Sequence, residues 1–441
     1  MKHFDAVVIG GGVLGCFVAR NLRRWNISVL LLEKEEDVCK GITRANSAIC
    51  YAGYDNKPGS LKAELTVRGN ANMASLCEEL EVPFSRCGSL LVTYDEDTVS
   101  KLKRKLKNGM QNGVPELRLL SGAEAEAMEP MLKKGVAAAL YAPSTGTVNP
   151  WQLGIAAFEN ALQNSAEVAL STQVRAIRKT ENGYAVETDK AAFAGKMVFN
   201  CAGLSADKVQ EMAFAPNVRL QLDGAEYLVL DSLAQKPSRI LFHQAQSCGK
   251  GITAIPCVEG NLLISGIRKP LGIPFATTVE GMQEVQAAAR ELLPEVDLNQ
   301  IIRSFGAVRP NPYLENGESI HDFCIENPAP GFYSLIGIKT PGLTCANELG
   351  MYLAEKAANY LGAEENTSFD PKRKAISEKD NEIICRCEQI TRAEIIEAIR
   401  RGATTVDGVK RRVGTGMGRC QGSRCTLKIE QLLEEYSHGI F

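Results

Sequence analysis

The chain carries almost no net charge: 50 lysines and arginines balance 52 aspartates and glutamates, for a formal charge of −2. Such a balance gives no general attraction to nucleic acid or to an anionic membrane, and neither is expected as a partner. No apolar stretch approaches the roughly 18 residues that a membrane-spanning helix needs. An export signal is also missing, because the apolar N-terminus has glycines where a signal peptide has its apolar centre. Repeats and low-complexity tracts are absent. His243 and His321 stand isolated and read as ordinary side chains. What remains is a globular chain of 441 residues, long enough for two or three domains, with 45% hydrophobic residues to build their cores.

Cysteine is plentiful, at fourteen residues. Ten are scattered singly: Cys16, Cys39, Cys50, Cys77, Cys87, Cys201, Cys248, Cys257, Cys324 and Cys345. With no export signal, these are expected to be reduced thiols in a cytoplasmic protein. The other four form a pattern. Cys385 and Cys387 stand in ICRCEQIT, and Cys420 and Cys425 in GRCQGSRC. The spacing is C-x-C, about thirty residues of helical text, then C-x4-C. Two close pairs separated by a small folded unit can converge on one centre, and four thiolates suit an iron–sulfur cluster or a structural zinc. Met417, Gly418 and Gln421 surround the second pair with neutral residues that let backbone N–H groups approach sulfur.

The N-terminus reads FDAVVIGGGVLGCFVARNLRRWNISVLLLEK. A short β-branched run from Phe4 to Ile9 predicts a buried strand, followed by a helix from Val13 to about Trp25 and a second strand from Ser28 to Leu32. Gly10, Gly12 and Gly15 have the G-x-G-x-x-G spacing of a dinucleotide-binding turn. The first allows the tight turn, the second the approach of a pyrophosphate, and the third close helix–strand packing. The helix N-terminus offers its free N–H groups to the phosphates. Glu33 follows at the distance of the acid that accepts from a ribose diol.

Further along, Asn182-Gly183 between two alternating runs predicts a hairpin. The apolar run Met197 to Cys201, ending in Ala202-Gly203, predicts a strand returning to the first sheet. Residues 219–309 read as strand-rich, and 364–380 as a polar linker. In the tail, Thr391 and Glu394 make a capping box that opens a helix, and two more helices are expected at 405–412 and 426–436.

On these segments the chain resembles known families. VVIGGGVLG with Glu33, RANSAICYAGYDNKPGSLKAEL, VFNCAGLSAD, IPCVEGNLLISG, FGAVRP and GIKTPGLT are similar to the FAD-dependent oxidoreductases of the D-amino-acid oxidase and glycerol-3-phosphate dehydrogenase type. The tail resembles the bacterioferritin-associated ferredoxin-like domain, which binds a 2Fe–2S cluster. Together they resemble the large subunit of anaerobic glycerol-3-phosphate dehydrogenase. The resemblance implies an α/β (α+β) fold. A Rossmann-like FAD-binding domain (1–80, 145–210 and 331–363) is expected to interleave with a strand-rich substrate domain (81–144 and 211–330). A linker (364–382) and a small helical 2Fe–2S domain (383–441) would follow.

It also implies a site. Gly10, Gly12, Gly15 and Glu33 would hold the FAD pyrophosphate and ribose, with Arg44, Asn46 and Ser47 on the loop passing the flavin and Gly203 near the dinucleotide. The loop from Gly337 through Gly342, Leu343 and Thr344 would pack against the flavin. Arg309 would meet the substrate's anionic group, Tyr51 could assist its proton, and Lys339 could offset charge on the reduced flavin. Cys385, Cys387, Cys420 and Cys425 would ligate the cluster. Three motifs depart from the family's wording: Tyr51 replaces its histidine, Cys257 and Glu259 alter its P-T-x-H-G-N, and Lys339 alters its E-S-P-G-L-T.

The expected activity is oxidation of a small anionic alcohol, glycerol 3-phosphate or a 2-hydroxy acid, by hydride transfer to FAD. Electrons would pass through the cluster to a redox partner subunit, another flavoprotein or an iron–sulfur protein. The chain would be cytoplasmic, held at the inner membrane only through partners. An amino- or imino-acid dehydrogenase subunit and a pure electron-transfer subunit are the alternatives.

Overall fold

The computed structural model describes residues 1–215, 217–232, 235–245, 249–266, 268–376 and 379–436. Cys248, expected to be a reduced thiol, lies outside them, as do the last five residues of the chain.

The first strand, β1 (Lys2–Ile9), runs directly into helix α1 (Val13–Leu22), and β2 (Val29–Leu32) returns beside it. All four residues of β2 and the last four of β1 are buried, the pattern of strands covered on both faces. The strand Ala192–Asn200 lies parallel to β1 on its other side, with Asn200 opposite Ile9. The hairpin Val174–Thr180 and Gly183–Thr188 extends the sheet on that side, and Glu167–Ala169 closes the β2 edge. The strand Phe332–Ile336 also joins Ala192–Asn200 in parallel. The sheet has eight strands among the described residues. Helix α1 packs against the helices Pro150–Gln163 and Ala346–Leu361. That crossing is close: a Cβ on Gly350 would sit 2.7 Å from the Phe17 carbonyl oxygen.

A second sheet, nine-stranded among the described residues, is built from 89–142, 218–270 and 301–314. Its longest pair is Val218–Leu230 against Ile301–Leu314, antiparallel. The strand-rich reading of this stretch omits a helix. Val279–Leu292 is helical, capped by the Thr278 hydroxyl accepting from Gly281 N–H. Gly281, Val285, Ala289 and Leu292 make its buried stripe against the sheet.

The described part of the linker before residue 377 is strapped along the first unit. Arg373 pairs with Glu159 at 2.9 Å, and the buried Arg20 donates to the Pro371 carbonyl at 3.1 Å. Beyond it, the three expected helices form at Arg392–Arg400, Val406–Val413 and Thr426–Tyr436. The first carries the expected Thr391–Glu394 capping box.

This small unit is fastened to the nucleotide-binding side through one carboxylate. Asp37 accepts from Arg411 at 2.6 Å and from Arg412 at 2.7 and 3.0 Å. Its exposure is 1%, and the side chains of Arg411 and Arg412 are 2% and 0% exposed. The two guanidiniums hold Asp37 below its ordinary range against the opposing effect of burial. Arg412 also lies 3.7 Å from Glu159, which Arg401 reaches at 3.3 Å. Removing one partner from such a buried pair strands a charge at a cost of about 3–5 kcal/mol. An Arg412→Met variant is therefore expected to release residues 383–436 in a separate, earlier urea transition and to expose the strap to protease. An unchanged single transition would contradict the clamp.

Candidate functional site

A cavity of about 1660 Å³ opens at the C-terminal ends of β1 and β2 and extends to the second sheet. A single small-molecule site occupies roughly 300–1,000 Å³. This cavity has room for a dinucleotide and a substrate together.

The dinucleotide end is built by the glycines. Gly10 has φ of +103°, and a Cβ there would lie 2.6 Å from the Cys201 carbonyl oxygen of the returning strand. On Gly15 a Cβ would fall 1.9 Å from the Gly10 carbonyl oxygen, so only glycine lets α1 start so close to β1. Gly12 is different: its Cβ would project into open space, with only Thr43 Oγ1 at 3.5 Å. That is the vacancy a pyrophosphate needs beside the first turn of a helix. Thr43 Oγ1 accepts from Val13 N–H and caps that turn. The Glu33 carboxylate accepts from Gly11 N–H at 2.6 Å and Glu35 N–H at 2.9 Å, and burial pushes its pKa up. Gly203, at φ +56°, borders the cavity with no neighbour within 4 Å of where its Cβ would stand.

Of the residues expected on the flavin loops, Arg44, Asn46, Ser47, Tyr51, Lys339, Gly342 and Leu343 line the cavity. Asn46 serves the loop itself, donating to Thr43 O at 2.8 Å and accepting from Ala48 N–H. The Arg44 guanidinium lies 5.1 Å from the centre of the Phe275 ring. Gly337 and Thr344 do not line the cavity. Gly337 fits beneath Pro312, whose Cδ would be 2.6 Å from a Cβ. Thr344 is buried and accepts from Tyr51 N–H at 3.0 Å, tying that loop to the Gly342 turn. Tyr51 stacks on Phe242 at 6.1 Å, with its hydroxyl 3.5 Å from Ser47 Oγ.

At the far end the cavity gathers cations. Arg309 donates to Thr340 Oγ1 at 2.8 Å, while its buried Nε has no partner among the described residues. Burial, and then the charge of Arg268, lower it to about 10. Lys339 reaches Asn311 Oδ1 at 3.1 Å and falls to about 8 through burial and then through Arg309, Lys62 and Arg268. Lys62, 7% exposed, donates to the His321 carbonyl at 2.9 Å and also falls to about 8, by burial first and Arg309 second. Four like charges on one wall repel one another and favour an anion between them. Sequence reasoning found Arg309 and Lys339 and missed Lys62 and Arg268. Lys62 sits in a polar helix start that reads as solvent-facing, but Asp322 accepts from Leu61 and Lys62 N–H and draws the helix into the cavity wall. His321 borders the cavity, and its carbonyl is engaged by Lys62.

The tail cysteines lie as pairs. Cys387 Sγ is 3.5 Å from Cys420 Sγ, and burial first and the adjoining Cys385 second push the Cys425 thiol up to about 11. Cys385 and Cys425 are buried at 1% exposure, whereas Cys387 is exposed. The Cys387 thiol and the Gly422 N–H both stabilise the thiolate of Cys420. Among the described residues no three Cys, His, Asp or Glu side chains meet tightly enough for a single metal ion. Four thiols in two neighbouring pairs, with N–H groups near sulfur, suit a cluster of two irons.

Fold and site define a flavoprotein oxidoreductase with a built-in iron–sulfur unit. The chain belongs to the FAD-dependent oxidoreductase family, whose model matches residues 5–356, and residues 383–435 match the BFD-like 2Fe-2S binding domain. It is 39% identical to a glycerol 3-phosphate dehydrogenase of Caloramator mitchellensis, over 98% of this chain and 94% of that protein. It is 27% identical to an L-2-hydroxyglutarate dehydrogenase of Indibacter alkaliphilus, over 80% of this chain and 98% of that one. Its fold is that of the FAD-bound L-alpha-glycerophosphate oxidase of Mycoplasma pneumoniae, with a TM-score of 0.78 at 24% identity, covering 84% of this chain and 98% of that one. FAD and a 2Fe–2S cluster are its cofactors.

Because the lysines are protonated below a folded pKa of about 8, anion affinity is present there and is lost as pH rises through it. Sulfate, which does not titrate in this range, is expected to perturb the flavin spectrum with a dissociation constant that climbs above pH 8. A constant value from pH 7 to 10 would contradict the lysine assignment.

Proposed function

We propose that this chain oxidises a small dianionic alcohol, glycerol 3-phosphate first and a 2-hydroxy acid with a second carboxylate next, and passes the electrons through its cluster to a partner protein. The observation that carries this reading is the wall formed by Lys62, Arg268, Arg309 and Lys339. A singly charged substrate would leave most of that positive charge unbalanced. A substrate ammonium would face the same wall, where the nearby carboxylate of Asp322 is already engaged by Leu61 and Lys62 N–H. That counts against an amino acid.

FAD, when bound, supplies a two-electron acceptor for the substrate C–H bond. The chain's own residues do the rest. Arg309 turns its unpartnered Nε to the anionic group, and Lys62 adds a buried point charge. Those two fix the carbon skeleton, so that the alcohol end lies toward Tyr51. The Tyr51 hydroxyl, held near Ser47 and stacked on Phe242, assists departure of the alcohol proton. Lys339 offsets negative charge that develops on reduction. All the cysteines of the described residues are free, which supports a reducing, cytoplasmic compartment.

The test is an anaerobic screen of glycerol 3-phosphate, L-2-hydroxyglutarate, other 2-hydroxy acids and amino acids, followed by bleaching of flavin absorbance. A dianionic alcohol is expected to bleach it. Arg309→Ala should weaken affinity for that compound by about 2–5 kcal/mol, with FAD content unchanged. Bleaching by a zwitterionic amino acid alone, or an Arg309→Ala variant with unaltered affinity, would overturn the proposal.

A further inference from the structure

The 2Fe–2S unit is asymmetric. Its inner thiols, Cys385 and Cys425, are buried, while Cys387 is exposed and Cys420 half-buried. The Asp37 clamp fixes the unit to the nucleotide-binding side through Arg411 and Arg412. The Cys385–Cys425 side of the cluster site is therefore enclosed, and the Cys387 edge faces solvent.

Four cations stand on the loops and helix start around that edge: Arg386, Arg419, Arg424 and Lys428, all exposed. None has an ion-pair or side-chain hydrogen-bond partner among the described residues. Elsewhere in the same unit Arg392, Arg401, Arg411 and Arg412 are all paired. Leu427, at 68% exposure, and Ile383, at 43%, supply apolar surface beside them. A chain of net charge −2 has concentrated unpaired positive charge where its exposed cluster thiol lies.

We infer that this edge is the electron exit and that it docks a small acidic one-electron carrier protein. The inference rests on the cluster assignment and deepens the partner reading above. Complementary charge would steer the carrier's acidic face onto Arg386, Arg419, Arg424 and Lys428, and Leu427 would supply a dry contact. In the transfer itself one electron leaves the reduced cluster and enters the carrier's oxidised centre. No bond forms or breaks, and no proton moves.

The test uses the full holoprotein, reduced with dithionite and freed of excess reductant, so that it is independent of the substrate. Oxidised cytochrome b5 serves as an acidic probe and cytochrome c as a basic one, mixed by stopped flow from low to high salt. Cytochrome b5 is expected to be reduced about tenfold or more faster at low salt than at high salt, and cytochrome c to show no such gain. An Arg424→Glu/Lys428→Glu variant with intact iron content and cluster signal should lose that salt-dependent advantage and favour cytochrome c. Equal rates for both probes, or no salt dependence in the wild type, would overturn the inference. So would sedimentation of the wild type, but not the variant, with phosphatidylserine vesicles in the absence of probe discrimination, which would assign the face to a membrane.

Discussion

The two redox units are useful to each other only if held together, and one buried carboxylate does much of the holding. Asp37 lies four residues after Glu33, on the loop whose Cys39 N–H bonds to the Gly11 carbonyl. Arg411 reaches the same loop through the Val38 carbonyl. The loop that shapes the nucleotide end thus carries the clamp for the cluster unit. Such buried charges are expensive to desolvate, so the clamp's contribution is geometric specificity more than net stability.

The cavity has the opposite electrostatic character. Asp37 is matched by two guanidiniums, whereas Arg309, Lys339 and Lys62 are lowered by burial first and then by the cations around them, and the wall carries too little opposing charge. A buried group left without its partner marks a place where a ligand completes the structure. The proposed dianionic substrate supplies what the wall lacks, and its alcohol end then meets the altered position, Tyr51.

Much of this was legible in the residues. The β1–α1–β2 unit, the hairpin at Asn182-Gly183 and the three tail helices follow from local rules: buried β-branched runs, left-handed glycines and N-caps. The returning strand was readable because an apolar run flanked by glycine has few other fates. Harder to read was the helix Val279–Leu292, where a buried stripe of Gly281, Val285, Ala289 and Leu292 is interrupted by enough polar residues to blur its period. At the site, Arg309 stood out as a charge in apolar text. Lys62 and Arg268 did not, because their role comes from the sheet and helix that bring them together across two hundred residues. The roles of Gly337 and Thr344 in supporting the loop, not lining the cavity, also depend on long-range packing that a single sequence does not encode locally.

The central claim is that oxidation at the cationic cavity and electron transfer through the cluster occur within this one chain. The most direct measurement is electron paramagnetic resonance of the anaerobic holoprotein, frozen after glycerol 3-phosphate is added with no other reductant. A reduced 2Fe–2S signal that grows with substrate, and that disappears in Cys387→Ser while flavin bleaching persists, is the predicted result. Flavin bleaching with no cluster signal in the wild type would contradict the account.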